Sequence, residues 1–199
     1  MYSRRKSRHL KGMTDASSAS MSIPDVTGDA TARYENNTYS GTTWYDLMPT
    51  PANGTGTGFG AGVDWPRFDG AQFVTVGQPA KLDFSTGFSL VAWGSQDPGV
   101  SGYERLISRD NNAGLRTVIF SQHDNTGNPF IGAHIGGGLK TVVGPGTYAA
   151  SQWHFYVATW DGANLSLYVD GALEGSAAAA GALANNAIDW EFGRAQNST

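Results

Sequence analysis

The sequence predicts an all-β protein, an antiparallel two-sheet β-sandwich of the jelly-roll type preceded by an extended N-terminal arm. The strongest evidence is residues 153–171, where two segments dense in aromatic and β-branched residues each end in Asp-Gly. Asp-Gly supplies the positive φ angles that tight turns require, so this run predicts a hairpin followed by another reversal. The composition agrees, because 27 Gly and 8 Pro in 199 residues are typical of short strands joined by many turns.

The second arm of this hairpin indicates which side faces the core. Leu165, Leu167 and Val169 share one side of the strand and alternate with less apolar residues. Period-two alternation of this kind predicts a strand with one buried face. Further strands at the same spacing suit two packed sheets, and we expect them near 67–69, 72–76, 81–83, 87–96, 103–109, 115–122, 129–135, 139–143, 153–160, 164–170, 173–176 and 188–193.

Three blocks follow one another in a specific order. They are Arg-Phe-Asp-Gly-Ala-Gln-Phe-Val-Thr-Val at 67–76, Phe-Ser-Thr-Gly-Phe-Ser-Leu-Val-Ala-Trp at 84–93, and the hairpin run from Trp-His to Leu-Tyr-Val-Asp-Gly at 153–171. Over about residues 63–195 the chain resembles the laminin-G-like, concanavalin A-like lectin and glucanase sandwich domains, a kind of domain also found in phage virion surface proteins. The resemblance implies that Trp93 packs in the core. It indicates a fold rather than a function, because one sandwich hosts many activities.

The chain divides into three parts. Residues 1–32 form the basic and polar arm, 33–66 an initial strand and a Gly/Pro-rich connection, and 67–199 the sandwich. The stretch 49–60 is too rich in Gly and Pro for a strand and is expected to be a long surface loop. The four alanines at 177–180 are expected to form a loop or a brief helical turn, and the three glycines at 136–138 a hairpin turn.

One departure from the family pattern concerns the C-terminal part. The resemblance implies another strand after residues 188–194, but the sequence ends at Thr199. Three alternatives stay open: the sheet ends early, the segment near 31–39 takes that place, or a partner chain supplies the strand. The last two would protect an exposed sheet edge.

Charge is distributed unevenly. The first eleven residues carry five bases and no acid, whereas the remainder carries eight bases and 17 acids, a formal net charge of −9. A basic arm beside an acidic body favours anchoring on other protein subunits of an assembly, including sister copies; nucleic acid is disfavoured because the acidic body opposes it, and a disordered tail is the alternative. The anchoring residues are expected to be Arg4, Arg5, Lys6, Arg8 and Lys11.

Several classes of protein are excluded by what the sequence lacks. Without cysteine, neither a disulfide framework nor a thiolate metal site can form. The basic start is not followed by an apolar stretch, and no window approaches the ~20 apolar residues of a membrane-spanning helix. We therefore expect a protein made in the cytoplasm without a signal peptide and without membrane contact.

No catalytic pattern is evident. The chain has four Glu, and the Glu-x-Asp-x-Glu strand of the related hydrolases is absent. Asp189 and Glu191 are expected on a solvated outer face opposite Ile188, Trp190 and Phe192. Because cleavage of a sugar linkage generally needs two cooperating carboxyl groups, the sequence predicts a protein that is not an enzyme.

Two kinds of binding site have candidates, and no cofactor other than calcium has one. Oxygen-rich loops can hold calcium or a glycan, although Asx residues also populate ordinary turns. The first loop contains Asp110, Asn111 and Asn112; the second, which a sandwich can bring close to it, contains Asp124, Asn125 and Asn128. Exposed aromatic residues form sugar-binding platforms in such domains, and the candidates are Tyr103, Tyr148, Trp44 and Tyr45.

Two functions are compatible with these observations. The first is a non-enzymatic structural module of a virion, such as a phage capsid decoration, fibre or other surface protein, held by its arm and sheet edges in a homo-oligomer or larger assembly. The alternative is a carbohydrate-binding module for a cell-surface or extracellular glycan.

Overall fold

We describe the protein from a computed structural model, which covers part of the chain in detail. The described residues are 39–40, 43–44, 51–57, 68, 71–96, 103–111, 113–124 and 126–195. The five predicted anchoring residues of the arm lie outside these ranges, so their role stays a prediction. No helix among the described residues is long and apolar enough to cross a membrane.

Short β-strands account for nearly all the regular structure. A 3₁₀ turn at Ala80–Leu82 is the exception among the described residues. The strands are β1 (Tyr39–Ser40), β2 (Thr43–Trp44), β3 (Gly54–Thr57), β4 (Phe73–Gly77), β5 (Phe88–Ser95), β6 (Glu104–Asp110), β7 (Arg116–His123), β8 (Phe130–Ile135), β9 (Gly138–Val143), β10 (Trp153–Trp160), β11 (Asn164–Val169), β12 (Ala172–Ala178) and β13 (Trp190–Phe192).

The strands form two antiparallel sheets that pack face to face. The larger sheet has the order β1-β2-β3-β4-β13-β6-β7-β8-β9, and the smaller sheet has the order β12-β11-β10-β5. In the sandwich, β11 and β12 contact β9, while β5 contacts β6. Buried apolar side chains of both sheets form one core, with Phe120 and Ile131 contributed by the larger sheet and Leu167 by the smaller. The predicted two-sheet sandwich is confirmed.

The central hairpin forms as the sequence predicts. Strands β10 and β11 pair in antiparallel register from Tyr156 opposite Val169 to Trp160 opposite Leu165. The apolar side of β11 is fully covered, since Leu165 and Leu167 are 0% exposed. Trp160 joins the same core and donates its indole N–H to the carbonyl of Ala179, so its polar atom is satisfied.

Both Asp-Gly turns have the conformation that their sequence favours. Asp170 and Gly171 have φ values of 51° and 84°, and turns with two positive φ angles match the twist of the strands they join. Asp161 acts differently, because its carboxylate accepts the backbone N–H groups of Ala163 and Asn164 at 2.9 and 2.6 Å. The Asn164 hydrogen bond, followed by that of Ala163, lowers the pKa of Asp161.

The predicted long loop at 49–60 contains a strand instead. β3 pairs with β2 and β4 in the larger sheet, and its two glycines are buried. A Cβ at Gly54 would lie 2.5 Å from Cγ1 of Val74, so only glycine allows this approach. The expectation failed because the glycines, which weaken an isolated strand, are required here by the close approach of β4.

One other local expectation is wrong and one is wrong in part. The strand expected at 81–83 is the 3₁₀ turn, in which Leu82 donates its N–H to the carbonyl of Pro79. In the alanine run, Ala177 and Ala178 continue β12 opposite β11, while Ala179 and Ala180 lie in the loop that follows, as expected. Alanine has little strand preference of its own, so pairing with a neighbouring strand decides its conformation.

Trp93 does not pack in the core as the resemblance implies. It lies opposite Phe155 in the pairing of β5 with β10, and side chains at paired positions point to the same face. Because Tyr156 is the inward residue of β10, Phe155 and Trp93 point outward, and Trp93 is 40% exposed. This tryptophan therefore lies on the outer surface of the smaller sheet.

Glu191 is the opposite case, because the expected solvated residue is buried. Its carboxylate accepts a hydrogen bond from Thr75 Oγ1 at 3.0 Å and two from the Arg194 guanidinium at 3.0 and 2.9 Å. Strand β13 lies between β4 and β6, so a neighbour stands on each side of it. Asp189 lies before the strand and accepts a hydrogen bond from Gln78. The expectation of a solvated face is therefore wrong for Glu191.

Replacing Leu167 with alanine tests the core. Leu167 is 0% exposed, and we expect Leu167→Ala to lower the free energy of unfolding by about 2–5 kcal/mol, measured by urea denaturation, because a cavity remains. Ser166→Ala, on the other side of the same strand, is the control and is expected to cost about 1 kcal/mol or less. Equal losses in the two variants would contradict the assignment of faces.

The Asp161 turn predicts a dependence of stability on pH. Since the pKa of Asp161 is lowered in the folded state, its contribution is present above the ordinary Asp pKa of about 3.9 and is lost as the pH falls through the folded value. Asp161→Asn keeps acceptor atoms but does not titrate. We expect the urea midpoint of this variant to fall less between pH 6 and pH 2 than that of the parent protein. Parallel pH profiles would refute this role of Asp161.

Candidate functional site

The outer face of the smaller sheet carries a cluster of large aromatic side chains. We call Trp93, Trp153 and Phe155 the aromatic platform. The rings of Trp93 and Phe155 lie opposite each other on β5 and β10, with centroids 5.2 Å apart and planes inclined by 47°. Trp153 is two residues before Phe155 on the same face and is 49% exposed. Two hydrogen-bonded strands thus hold the three rings side by side.

An apolar row continues from the platform across the sheet. Val91 on β5 lies opposite Val157 on β10, which lies opposite Tyr168 on β11, which in turn lies opposite Leu173 on β12. Of these, Val91 and Leu173 are largely solvent-exposed. Single exposed apolar residues are common, but a contiguous row beside exposed tryptophans indicates an interaction surface.

A polar cluster borders the platform at the end of the sheet where Trp153 lies. We call Tyr148, His154, Asp170 and Glu174 the end cluster. One carboxylate oxygen of Asp170 accepts the backbone N–H of Phe155 at 2.9 Å, and the other lies 2.7 Å from Nδ1 of His154. The Asp170 side chain nevertheless remains 49% exposed. It can therefore accept further hydrogen bonds from a ligand.

Electrostatic effects fix the protonation of two members of the end cluster. Burial acts to raise the pKa of Asp170, but the hydrogen bonds from Phe155 and His154 outweigh it and hold the pKa below its ordinary value. Burial, followed by a hydrogen bond to Glu174, raises the pKa of Tyr148. At neutral pH the cluster thus offers a carboxylate at Asp170 and a neutral hydroxyl at Tyr148.

The aromatic residues predicted for sugar binding are not brought together. Tyr103 is exposed and packs on Phe130 of the larger sheet, with ring centroids 5.4 Å apart. Tyr148 instead packs against His154 of the smaller sheet at 4.8 Å and belongs to the end cluster. For Trp44 the structure describes the backbone in β2, and Tyr45 lies outside the described residues.

The two oxygen-rich loops do not form one site. Asn111 precedes β7 and Asp124 follows it, so the loops lie at opposite ends of an eight-residue strand, about 26 Å apart at ~3.3 Å per residue. The interpretation that the fold brings them together is therefore wrong. Within the described part of the chain, no three His, Asp or Glu side chains are grouped so as to hold a metal ion.

Each loop uses its oxygens in structural contacts. The buried carboxylate of Asp110 lies 3.0 Å from Arg105 and 3.4 Å from Arg116. Asn111 Oδ1 accepts the N–H groups of Ala113 and Leu115, so it caps the hairpin. These contacts agree with a turn role, while a calcium or glycan role for this loop stays a prediction.

The second loop is arranged in the same way. Asp124 Oδ1 accepts the backbone N–H of Thr126 at 2.7 Å and that of Asn128 at 3.1 Å. Such bonds define the turn between β7 and β8. Asn112 and Asn125 lie outside the described residues, so their predicted roles are untested.

The platform was not predicted, although the sequence contains a signal for it. Trp153 and Trp160 are seven positions apart in one strand, so period-two alternation places them on opposite faces. The turn after Trp160 pairs this end of β10 with β11, and side chains at paired positions point to the same face. Trp160 therefore lies on the apolar side of β11 and must be the inward residue. Trp153 is then outward, and Phe155 shares its face.

Comparisons with known proteins agree with this architecture. Residues 68–199 match the family described as the concanavalin A-like lectin/glucanases superfamily. Among curated proteins, no sequence matches. The structure is similar to the binding domain of Paraclostridial Mosquitocidal Protein 1, with a TM-score of 0.60 and 15% identity over 84% of this chain and 44% of that one. This chain thus spans less than half the length of that structure.

Two more solved structures are similar at lower scores. Domain 4 of AbnA, a GH43 extracellular arabinanase from Geobacillus stearothermophilus, in complex with arabinotriose, has a TM-score of 0.49 and 13% identity over 80% of this chain and 70% of that one. The binding domain of Botulinum Neurotoxin DC in complex with SialylT has a TM-score of 0.47 and 12% identity, covering 81% and 42%. The family match spans well over half of the sequence, and the chain therefore belongs to the concanavalin A-like lectin/glucanase superfamily.

Proposed function

We propose that the protein is a non-enzymatic, lectin-like module that binds a glycan on the aromatic platform. The observation that carries the proposal is the pair of exposed tryptophans, Trp93 and Trp153, with the half-buried ring of Phe155 between them on the outer face of the smaller sheet. Membership of a superfamily of lectins and glucanases supports a binding role in general. The assignment of glycan binding to the platform, rather than to another surface of the protein, rests on the side chains of the platform alone.

The chemistry of a sugar suits this surface. A pyranose ring presents C–H groups on its faces and hydroxyl groups around its edge, so it packs on an aromatic ring while its hydroxyls meet polar groups. The platform supplies rings, and the exposed carboxylate of Asp170 supplies an acceptor. The rings stand on paired strands, and the Asp170 carboxylate is held by its hydrogen bond with the Phe155 N–H, which lowers the entropy lost on binding.

The arrangement of carboxylates supports binding without hydrolysis. Glycosidases need an acid and a second carboxylate on either side of the bond to be cleaved. Glu191 is buried under Arg194 on the other sheet, and Asp170 is the carboxylate that contacts the platform strand. Release of reducing sugar from any bound polysaccharide by the purified protein would contradict the non-enzymatic part of the proposal.

We propose further that the module is displayed on an assembly, such as a virion surface, to which its arm anchors it. The observation that favours this is the contrast between five bases in the first eleven residues and the net charge of −9 on the remainder. Opposite charges on one chain favour salt-sensitive association with sister copies or acidic neighbours. Detection of the chain in purified particles by mass spectrometry tests the location.

The platform is tested by truncating its tryptophans. We expect Trp93→Ala and Trp153→Ala each to weaken glycan binding about tenfold or more in calorimetric titration, because each removes exposed ring area at the contact. Thermal stability should change little, since neither ring belongs to the hydrophobic core. Leu115→Ala, which truncates an exposed apolar residue just before β7, away from the smaller sheet, is the matched control. If Tyr103→Ala weakens binding while the tryptophan variants do not, the site lies elsewhere.

The arm is tested by removing its charge. We expect the full chain to self-associate at 50 mM NaCl and to dissociate at 500 mM, as measured by light scattering after size-exclusion chromatography. A variant with glutamine at the five basic positions of the arm should be monomeric at both salt concentrations, because the opposite charges no longer attract. Self-association that is unchanged in the variant would refute anchoring by the arm.

A further inference from the structure

The smaller sheet, formed by the four strands β5, β10, β11 and β12, contains no Lys or Arg, and His154, which pairs with Asp170, is its one basic residue. The polar residues on its outer face are mostly hydroxyls, of which Ser166 and Ser176 lie hydrogen-bonded side by side at 2.9 Å. Ser95, opposite Trp153, and Thr159 belong to the same face. The outer face formed by these four strands is therefore aromatic and hydroxyl-bearing, and the strands themselves contribute no positive charge from Lys or Arg.

The charges that border this face are acidic. Asp170 lies at the turn next to the platform, and Asp161 lies at the turn at the far end of β10. Asp170 touches the platform strand directly, through its hydrogen bond with the Phe155 N–H, and its side chain is half exposed. The Asp170 carboxylate is thus one hydrogen bond away from the backbone of a platform residue.

The described bases lie elsewhere, and most are already paired. Arg105 and Arg116 flank Asp110, Arg109 pairs with Asp83, and Arg194 pairs with Glu191. These four arginines belong to the larger sheet or its adjoining segment. Lys140 lies in β9 of the larger sheet, and Lys81 lies in the 3₁₀ turn. No described Lys or Arg is therefore part of the sheet that carries the platform.

From this charge distribution we infer that the platform selects neutral glycans and rejects glycans that carry a sialic acid, sulfate or uronate group. The inference rests on the proposed function and adds the class of ligand. An anionic sugar on the platform would lose hydration beside the Asp170 carboxylate without gaining a Lys or Arg partner from these strands, while His154 already pairs with Asp170. An unpaired charge of this kind is how a site discriminates against the wrong ligand. A neutral sugar instead donates its hydroxyl protons to the same carboxylate.

The experiment compares matched ligands on the full chain. N-acetyllactosamine is compared with its sialylated and sulfated forms, and neutral gluco- and manno-oligosaccharides are compared with oligouronates. For each ligand, the measured quantity is the difference in binding between the parent protein and Trp153→Ala. Contacts of the ligand with the basic arm are the same in both proteins, so they cancel in this difference. We expect the neutral member of each pair to bind about tenfold or more tightly than its anionic counterpart, with little change between 50 and 300 mM NaCl.

A variant with an added cation tests the cause of this selectivity. Ser95 lies opposite Trp153 at the edge of the platform, so Ser95→Arg places a guanidinium there, and we expect it to reduce or remove the preference for the neutral ligand. Thr141→Arg adds the same charge at an exposed position of β9 in the larger sheet and is the matched control. We expect this control to keep the preference.

The outcomes separate this inference from the proposed function. Platform-dependent binding that is equal for both ligands, or tighter for the anionic one, overturns the inference and leaves glycan binding at the platform standing. If Thr141→Arg loses the preference for the neutral ligand as Ser95→Arg does, the lack of a cation beside the platform is not the cause of the preference. Failure of every glycan to show binding that depends on Trp153 overturns the proposed function and the inference together.

Discussion

Strand β10 pairs with β5 along its full length and with β11 over the part that ends at Trp160, and this double pairing determines where each of its side chains points. Tyr156, Ala158 and Trp160 face the core, so Trp153 and Phe155 must face solvent. A shift of one residue would exchange the two sets, which would expose the core residues at a cost of roughly 25 cal/mol for each Å² of apolar surface. Burial on the inside therefore maintains the aromatic surface on the outside.

The turns that close these strands add to the same constraint. Asp170 adopts a positive φ in the turn between β11 and β12 and also accepts the N–H of Phe155, so it ties the end of one strand to the beginning of another. The geometry of the turn and the position of the exposed carboxylate thus depend on a single side chain. A change at Asp170 would alter stability and ligand contact together, whereas Trp93 and Trp153 affect the surface alone.

The larger sheet differs from the smaller one because it contains buried charged groups. Arg109 is buried, donates to the carbonyl of Ile188 and pairs with Asp83, while Glu191 is held by Arg194 and Thr75. Breaking one such buried pair leaves an uncompensated charge, which costs roughly 3–5 kcal/mol. The described arginines stabilise this sheet, whereas the four strands of the smaller sheet contain neither Lys nor Arg. The ion pairs that stabilise the larger sheet and the inferred preference of the smaller sheet for neutral glycans thus both follow from the uneven distribution of Lys and Arg between the two sheets.

The sequence by itself determined the features that depend on neighbours along the chain. The Asp-Gly turns, the hairpin between them and the buried side of Leu165, Leu167 and Val169 follow from turn chemistry and period-two alternation, and the structure confirms them. The glycine turn between β8 and β9 is also confirmed, with φ values of 61° and 79° at Gly136 and Gly137. Each of these features is encoded within a few residues.

Only the tertiary structure decided the features that depend on which strands become neighbours. Gly54 lies in a strand because β4 approaches it closely, Glu191 is buried because Arg194 and Thr75 bind its carboxylate, and Trp93 is exposed because it lies opposite Phe155. The platform joins residues about sixty positions apart in the sequence. Local patterns describe the two faces of a strand, but the choice of the face that meets the core is made by the opposing sheet, and that choice created the candidate site.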